Sequence, residues 1–194
     1  MLRGDRVILP GVIASSGGVA SSYESIATVT VGSGGASSVS FSSIPSTFTH
    51  LQIRILSRSP YSATVELDSL TMRVNGDTGS NYSYHGLRGN GSSANTDANN
   101  TVAFAKLGEQ VDDAYGSNMF TGIIIDLLGY ANTNKYKTFR SLCGADTNGA
   151  GSVALYSALW QSTSAITSLT FYSGTGLARG FNQYSSFALY GVKG

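Results

Sequence analysis

Leu51-Gln52-Ile53-Arg54-Ile55 alternates aliphatic and polar side chains with a period of two. That is the signature of a β-strand with one dry face and one wet face. The same alternation recurs along the chain. Ile26, Thr28 and Thr30 oppose Ala27, Val29 and Val31, and Gly34-Gly35 closes that segment. Val39 and Phe41 alternate with Ser38, Ser40 and Ser42 until Ile44-Pro45 ends the strand. Pro60 marks a turn; Leu70, Met72 and Val74 then alternate with Thr71 and Arg73 up to Asn75-Gly76-Asp77, a hairpin-type turn signal. Tyr136 to Leu142 alternates, as do Val153 to Trp160 and Leu169 with Phe171, and Phe187 to Val192 supplies the last strand.

Three stretches read differently. Ile123-Ile124-Ile125 with Leu127-Leu128 is an unbroken apolar run, which predicts a central strand covered on both faces. Val102, Phe104, Ala105 and Leu107 fit either a strand or one helical turn. Asn81 to His85 fits a short strand, but the polar tract Gly89 to Asn100 has no apolar face and predicts an exposed loop. Roughly nine or ten strands at this spacing, with no helical period beyond about two turns, predict an all-β antiparallel sandwich, jelly-roll-like.

Composition agrees. The chain has 194 residues, enough for one substantial core, with 41% hydrophobic and only 12% charged residues. Gly (24 residues), Ser, Thr and Asn take the place of the missing charge, and they favour turns over helices. The net charge is +1 and the basic residues are scattered, without the stripe that phosphate neutralisation requires, so no nucleic-acid partner is expected. Charge this near zero eases self-association. The single cysteine, Cys143, excludes an internal disulfide and fits assembly in a cytosol. No run of 18 apolar residues exists, so membrane insertion is not expected, and Val7-Ile8-Leu9 before Pro10 is too short for a signal peptide.

Residues 1–22 stand apart as an extended attachment arm and linker, with Val7, Ile8, Leu9, Val12 and Ile13 as its apolar grip and a small-residue tract from Ala14 to Ser22 as connector. Residues 23–194 form the expected sandwich domain.

Four ordered stretches resemble one known group. They are Phe41 to Arg54, with Ile44-Pro45 and His50-Leu51-Gln52-Ile53-Arg54; Asn75-Gly76-Asp77-Thr78-Gly79-Ser80-Asn81-Tyr82; Trp160 to Thr170; and Phe187-Ala188-Leu189-Tyr190-Gly191-Val192. Together they resemble small virion proteins of tailed bacteriophages. The resemblance implies a non-enzymatic peripheral tail or head component (fibre, adaptor or decoration), located in the virion after assembly in the host cytoplasm. It would dock on other virion proteins through its arm and self-associate, with a trimer the favoured homo-oligomer. It implies no catalytic residues and no cofactor.

The chemistry-bearing residues read mainly as structural. His50 and His85 have no partners at zinc-ligand spacing, and no metal site is expected. No G-x-S-x-G elbow occurs. Asp112-Asp113 reads as a solvated turn, and Glu66, Asp68, Asp77 and Asp126 single out no catalytic pair. Asn75 to Gly79 reads as a turn rather than a calcium loop. The alternative function is host recognition. Tyr61, Tyr82, Tyr84, Tyr115 and Tyr130 are expected in loops, where tyrosines suit adaptable contacts, and Tyr82, Tyr84, His85, Asn90 and Asn95 form the candidate surface for a host cell-surface glycan.

Overall fold

The computed structural model describes residues 21–62 and 67–194, so Glu66 and the arm residues Val7, Ile8, Leu9, Val12 and Ile13 lie outside the described residues. The strands are β1 (Tyr23–Thr30), β2 (Val39–Phe41), β3 (His50–Ser57), β4 (Asp68–Val74), β5 (Tyr82–Gly89), β6 (Ala94–Val102), β7 (Ala105–Gln110), β8 (Thr121–Leu128), β9 (Lys137–Asp146), β10 (Gly151–Trp160), β11 (Leu169–Ser173) and β12 (Ser186–Val192). They form an eight-stranded sheet, β1-β12-β3-β8-β9-β10-β5-β6, and a four-stranded sheet, β2-β11-β4-β7. Every ladder between these strands is antiparallel.

This order has a simple description. Without β5, β6, β9 and β10, the chain crosses between the sheets β1-β12-β3-β8 and β2-β11-β4-β7 at every step except β4 to β7, which pair within the small sheet; this is the two-sheet arrangement of an eight-stranded jelly roll. Hairpin β5–β6 is inserted between β4 and β7, and hairpin β9–β10 between β8 and β11. Both extend the first sheet on the β8 side.

Alternation decides which side chains face inward. Leu51, Ile53 and Ile55 of β3 meet Leu70, Met72 and Val74 of β4, Phe171 of β11 and Leu189 of β12 in one core. Phe171 lies 5.5 Å from Phe187, whose ring meets Phe181 edge-on at 4.9 Å. The Asn75-Gly76 turn forms as its residue types require, with φ of 51° and 69° and the Asp77 amide donating to the Val74 carbonyl at 2.8 Å.

Three expectations change and one open reading closes. The described residues hold twelve strands rather than nine or ten. The polar tract from Gly89 is largely strand β6, with a turn at Asn90–Ser93 whose Asn90 Oδ1 accepts the Ser92 and Ser93 amides. An edge strand is held by its backbone ladder and need not bury a face, so period-two reasoning misses it. The open stretch around Val102 to Leu107 resolves as the end of β6 and the buried strand β7. The Ile123–Leu128 run is central but covered on one face only: Ile123, Ile125 and Leu127 are buried, while Ile124 and Leu128 are 44% and 43% exposed.

Candidate functional site

The four ordered stretches singled out in the sequence meet one another through the loops of the sandwich. Asn75 Nδ2 donates to the Ala165 carbonyl, and Asn75 Oδ1 accepts from the Thr167 and Ser168 amides. Asp77 accepts from the Trp160 indole Nε1 at 2.7 Å. Burial pushes the Asp77 carboxyl up, but the bonds from Trp160, Asn81 and Gly79 and the nearby Arg73 charge outweigh it, leaving its pKa below the ordinary value. The Ile44 amide donates to the Thr167 carbonyl, and Tyr130 Oη donates to the Pro45 carbonyl. Phe48 lies on Gly191 so closely that a Cβ there would enter its ring. His50 sits at the rim, its Nδ1 accepting the Gly129 amide at 3.0 Å. These contacts are scaffolding.

Two charged clusters lie deeper. Beneath the β5–β6 hairpin, a cleft of about 210 Å³ is lined by Arg88, Asp97, Lys106, Glu109 and Tyr156. Glu109 accepts from Tyr156 Oη at 3.1 Å and from Arg88 at 3.3 Å, while Lys106 Nζ lies 2.5 Å from Asp97 and 3.7 Å from Glu109. Burial first, then the Glu109 charge, pushes the Tyr156 phenol far up, so it acts as a hydrogen-bond donor. In the second cluster, Asp68 accepts from Ser59 (2.7 Å), Ser173 (2.5 Å) and Arg179 (2.6 Å), and Arg179 stacks on Tyr61 at 3.5 Å.

Asp112, expected solvated with Asp113, is fully buried: the Ala114 amide holds its Oδ1, and Oδ2 has no partner among the described residues. Burial, with Asp68 adding repulsion, raises its pKa. Its neighbours in chain and space are structural: Asp113 bonds Arg58 and Asn182. Among the described residues no three His, Cys, Asp or Glu side chains gather to hold a metal ion.

The outer face of the large sheet is different. One cross-strand row runs Ala188, Arg54, Ile124, Leu142, Leu155, Leu87. The next runs Leu56, Gly122, Gly144, Val153, Gly89. Leu56, Leu87, Ile124, Leu142, Leu155 and Val153 are each between 44% and 62% exposed. Where the glycines remove side chains, a trough of about 610 Å³ opens, lined by Arg54, Leu56, Gly122, Ile124, Leu142 and Val153, among others. A third row is polar: Tyr190, Gln52, Asp126, Arg140, Ser157, His85. An apolar patch spread over several strands with a polar border is the form of an interaction surface.

Comparison with protein-family models, curated proteins and solved structures finds no match.

The glycan candidates do not come together. Tyr82 and Tyr84 face the core, Tyr82 Oη accepting the Val74 amide at 3.0 Å, whereas His85 faces outward on the large sheet. Asn90 closes the hairpin turn, and Asn95 lies on the edge strand. Tyr130, expected in a loop, is also fully buried. The sequence left one surface unrecognised: the aliphatic row, whose members belong to β8, β9, β10 and β5. The signal was present in Ile123–Leu128, apolar on both faces, but only the register shows which residues join Ile124.

Proposed function

We propose that this protein is a non-enzymatic structural component of a tailed-phage particle, a peripheral tail or head protein that self-associates and docks on other virion proteins through residues 1–22. The observation that carries this reading is the open aliphatic face on a jelly-roll body, a surface suited to protein contact and poor in groups that do chemistry. The four phage-like stretches support it, since in this fold they hold the body together. So does the chain's near-zero net charge, which leaves little repulsion between copies.

The test is immunogold labelling of purified particles with an antibody to this chain. Label at a fixed position on intact particles is expected; label confined to the unassembled fraction overturns the proposal. Deleting residues 1–22 should abolish incorporation while the circular dichroism of the body stays that of a β-protein.

A further inference from the structure

We infer that the outer face of the large sheet is covered by a second copy of this chain, packed face to face about a two-fold axis parallel to the strands and midway between β8 and β9. The inference deepens the self-association just proposed and rests on it in that respect only; it makes the basic unit a dimer in place of the trimer expected from sequence.

Three observations lead there. The first is the mismatch on β8. Ile123 to Leu128 has the apolar character of a strand covered on both faces, yet in the single chain Ile124 and Leu128 are open to solvent. Leu142, Leu155 and Leu87 extend that opening across three further strands.

The second is the glycine row. A glycine inside a strand weakens it, and commonly marks a place where another backbone or a ligand comes close. Gly122 pairs with Gly144, and Gly89 lies beyond Val153 in the same row. None of the three has a positive φ, and a Cβ would meet nothing within 4 Å at Gly122 or Gly89 and nothing nearer than 3.8 Å at Gly144. Contacts within the described chain thus give no reason for glycine there, whereas an apposed surface does.

The third is the placement of charge, which selects both the occupant and the axis. A two-fold interface presents the same patch on both copies, so the patch must be complementary to itself. The sheet order β1-β12-β3-β8-β9-β10-β5-β6 has its midpoint between β8 and β9. An axis along that line lays β8 on the second copy's β9 and β3 on its β10. Ile124 then faces Leu142, Leu56 faces Val153 and Gly122 faces Gly144, while Arg54 faces Leu155 with its aliphatic stem, its guanidinium being held over the Tyr190 ring at 5.1 Å. In the polar row Asp126 faces Arg140, twice by symmetry. Asp126 is bonded to Gln52, and no hydrogen bond or ion pair of Arg140 is found among the described residues. Turning the axis across the strands instead sets Asp126 and Arg140 each against its own copy or against the aliphatic row, which like-charge contact and desolvation oppose. The size also suffices. Eight strands at about 4.8 Å spacing, about 24 to 34 Å long, present roughly 800 to 1,100 Å² in projection, enough for the ~800 Å² that each partner buries in a stable interface.

Sedimentation velocity of the whole chain over a concentration series provides the test. The expected species has twice the 20.2 kDa mass of one chain. Leu142→Arg, placed beside the axis, is expected to give monomers with unchanged circular dichroism. Asp126 and Arg140 are also cross-strand partners within one chain, so Asp126→Arg or Arg140→Asp alone should weaken the dimer by at least about tenfold, and an equimolar mixture of the two single variants, in which opposite charges meet only across the interface, should restore it as a heterodimer. A concentration-independent monomer or a trimer in the wild type overturns the inference, as does a dimer that survives Leu142→Arg. Loss of dimer in both single charge variants without recovery in their mixture overturns it too. If removing residues 1–20 turns a monomer into a dimer, the face is covered by the chain's own terminus and the inference fails. Particle labelling remains a separate measurement. A dimer with unlabelled particles sinks only the virion reading, and labelled particles with a monomer sink only the dimer.

Discussion

Asp77 and Trp160, 83 residues apart in sequence, are joined by a 2.7 Å hydrogen bond from the indole nitrogen to the carboxylate. The bond ties the turn after β4 to the end of β10, so a connection of the jelly-roll body is fastened to an inserted hairpin. It also makes a titratable group part of the scaffold.

That linkage has a pH signature. The Asp77 carboxyl is held below its ordinary value of 3.8 in the folded chain. Its contribution is therefore complete above the unfolded-state value and is lost as pH falls through the lower, folded one. Chemical denaturation midpoints should drop on acidification below about pH 4, and Asp77→Asn should make that part of the drop smaller. An unchanged acid limb in the variant would show that the bond does not couple to folding.

Asp112 should behave in the opposite sense. Burial raises its folded-state pKa, so the charged form burdens the fold above that value and the burden disappears below the unfolded one. Asp112→Asn keeps an acceptor for the Ala114 amide and removes the charge. It should raise the denaturation midpoint at pH 7, with the advantage shrinking towards pH 4. A gain independent of pH would point to packing instead.

Gly191 and Phe48 form a close backbone-to-ring contact that leaves no room for a methyl group. Gly191→Ala should cost about 1–3 kcal/mol through overpacking. Combined with Phe48→Ala, it should cost less than the sum of the separate changes, because the ring it strikes has gone. Strict additivity in a denaturation cycle would refute the contact.

Tyr82 gives a further measurement, since its hydroxyl accepts the buried Val74 amide. Tyr82→Phe strands that donor and should cost about 1–3 kcal/mol. A glycan-contacting tyrosine would instead lose affinity with stability unchanged.

The elements legible from sequence were those whose signal is local. Leu51–Ile55, Leu70–Val74 and Val153–Trp160 announce themselves because a half-buried strand must alternate, and Asn75-Gly76 because few other pairs adopt its backbone. What stayed hidden depends on neighbours distant in sequence. The polar strand β6 is stabilised by its ladder with β5, which leaves no trace in hydrophobic period. Tyr82 and Tyr84 look like loop tyrosines until β5 is seen to turn them inward, and Asp112 looks solvated until the chain around it closes. The aliphatic outer row is a product of register. Leu87, Ile124, Leu142 and Leu155 become neighbours only once four strands are aligned, and no stretch of sequence contains two of them within ten residues.

The two inserted hairpins leave and re-enter the jelly roll without changing the order of its eight original strands. Each can be viewed as a leaf added to a table whose legs stay in place. Lengthening, trimming or replacing β5–β6 would alter the breadth of the platform while the closed body under β1, β12, β3 and β8 kept its connectivity. Divergence among descendants of such a chain would then concentrate in those leaves, giving one body many footprints.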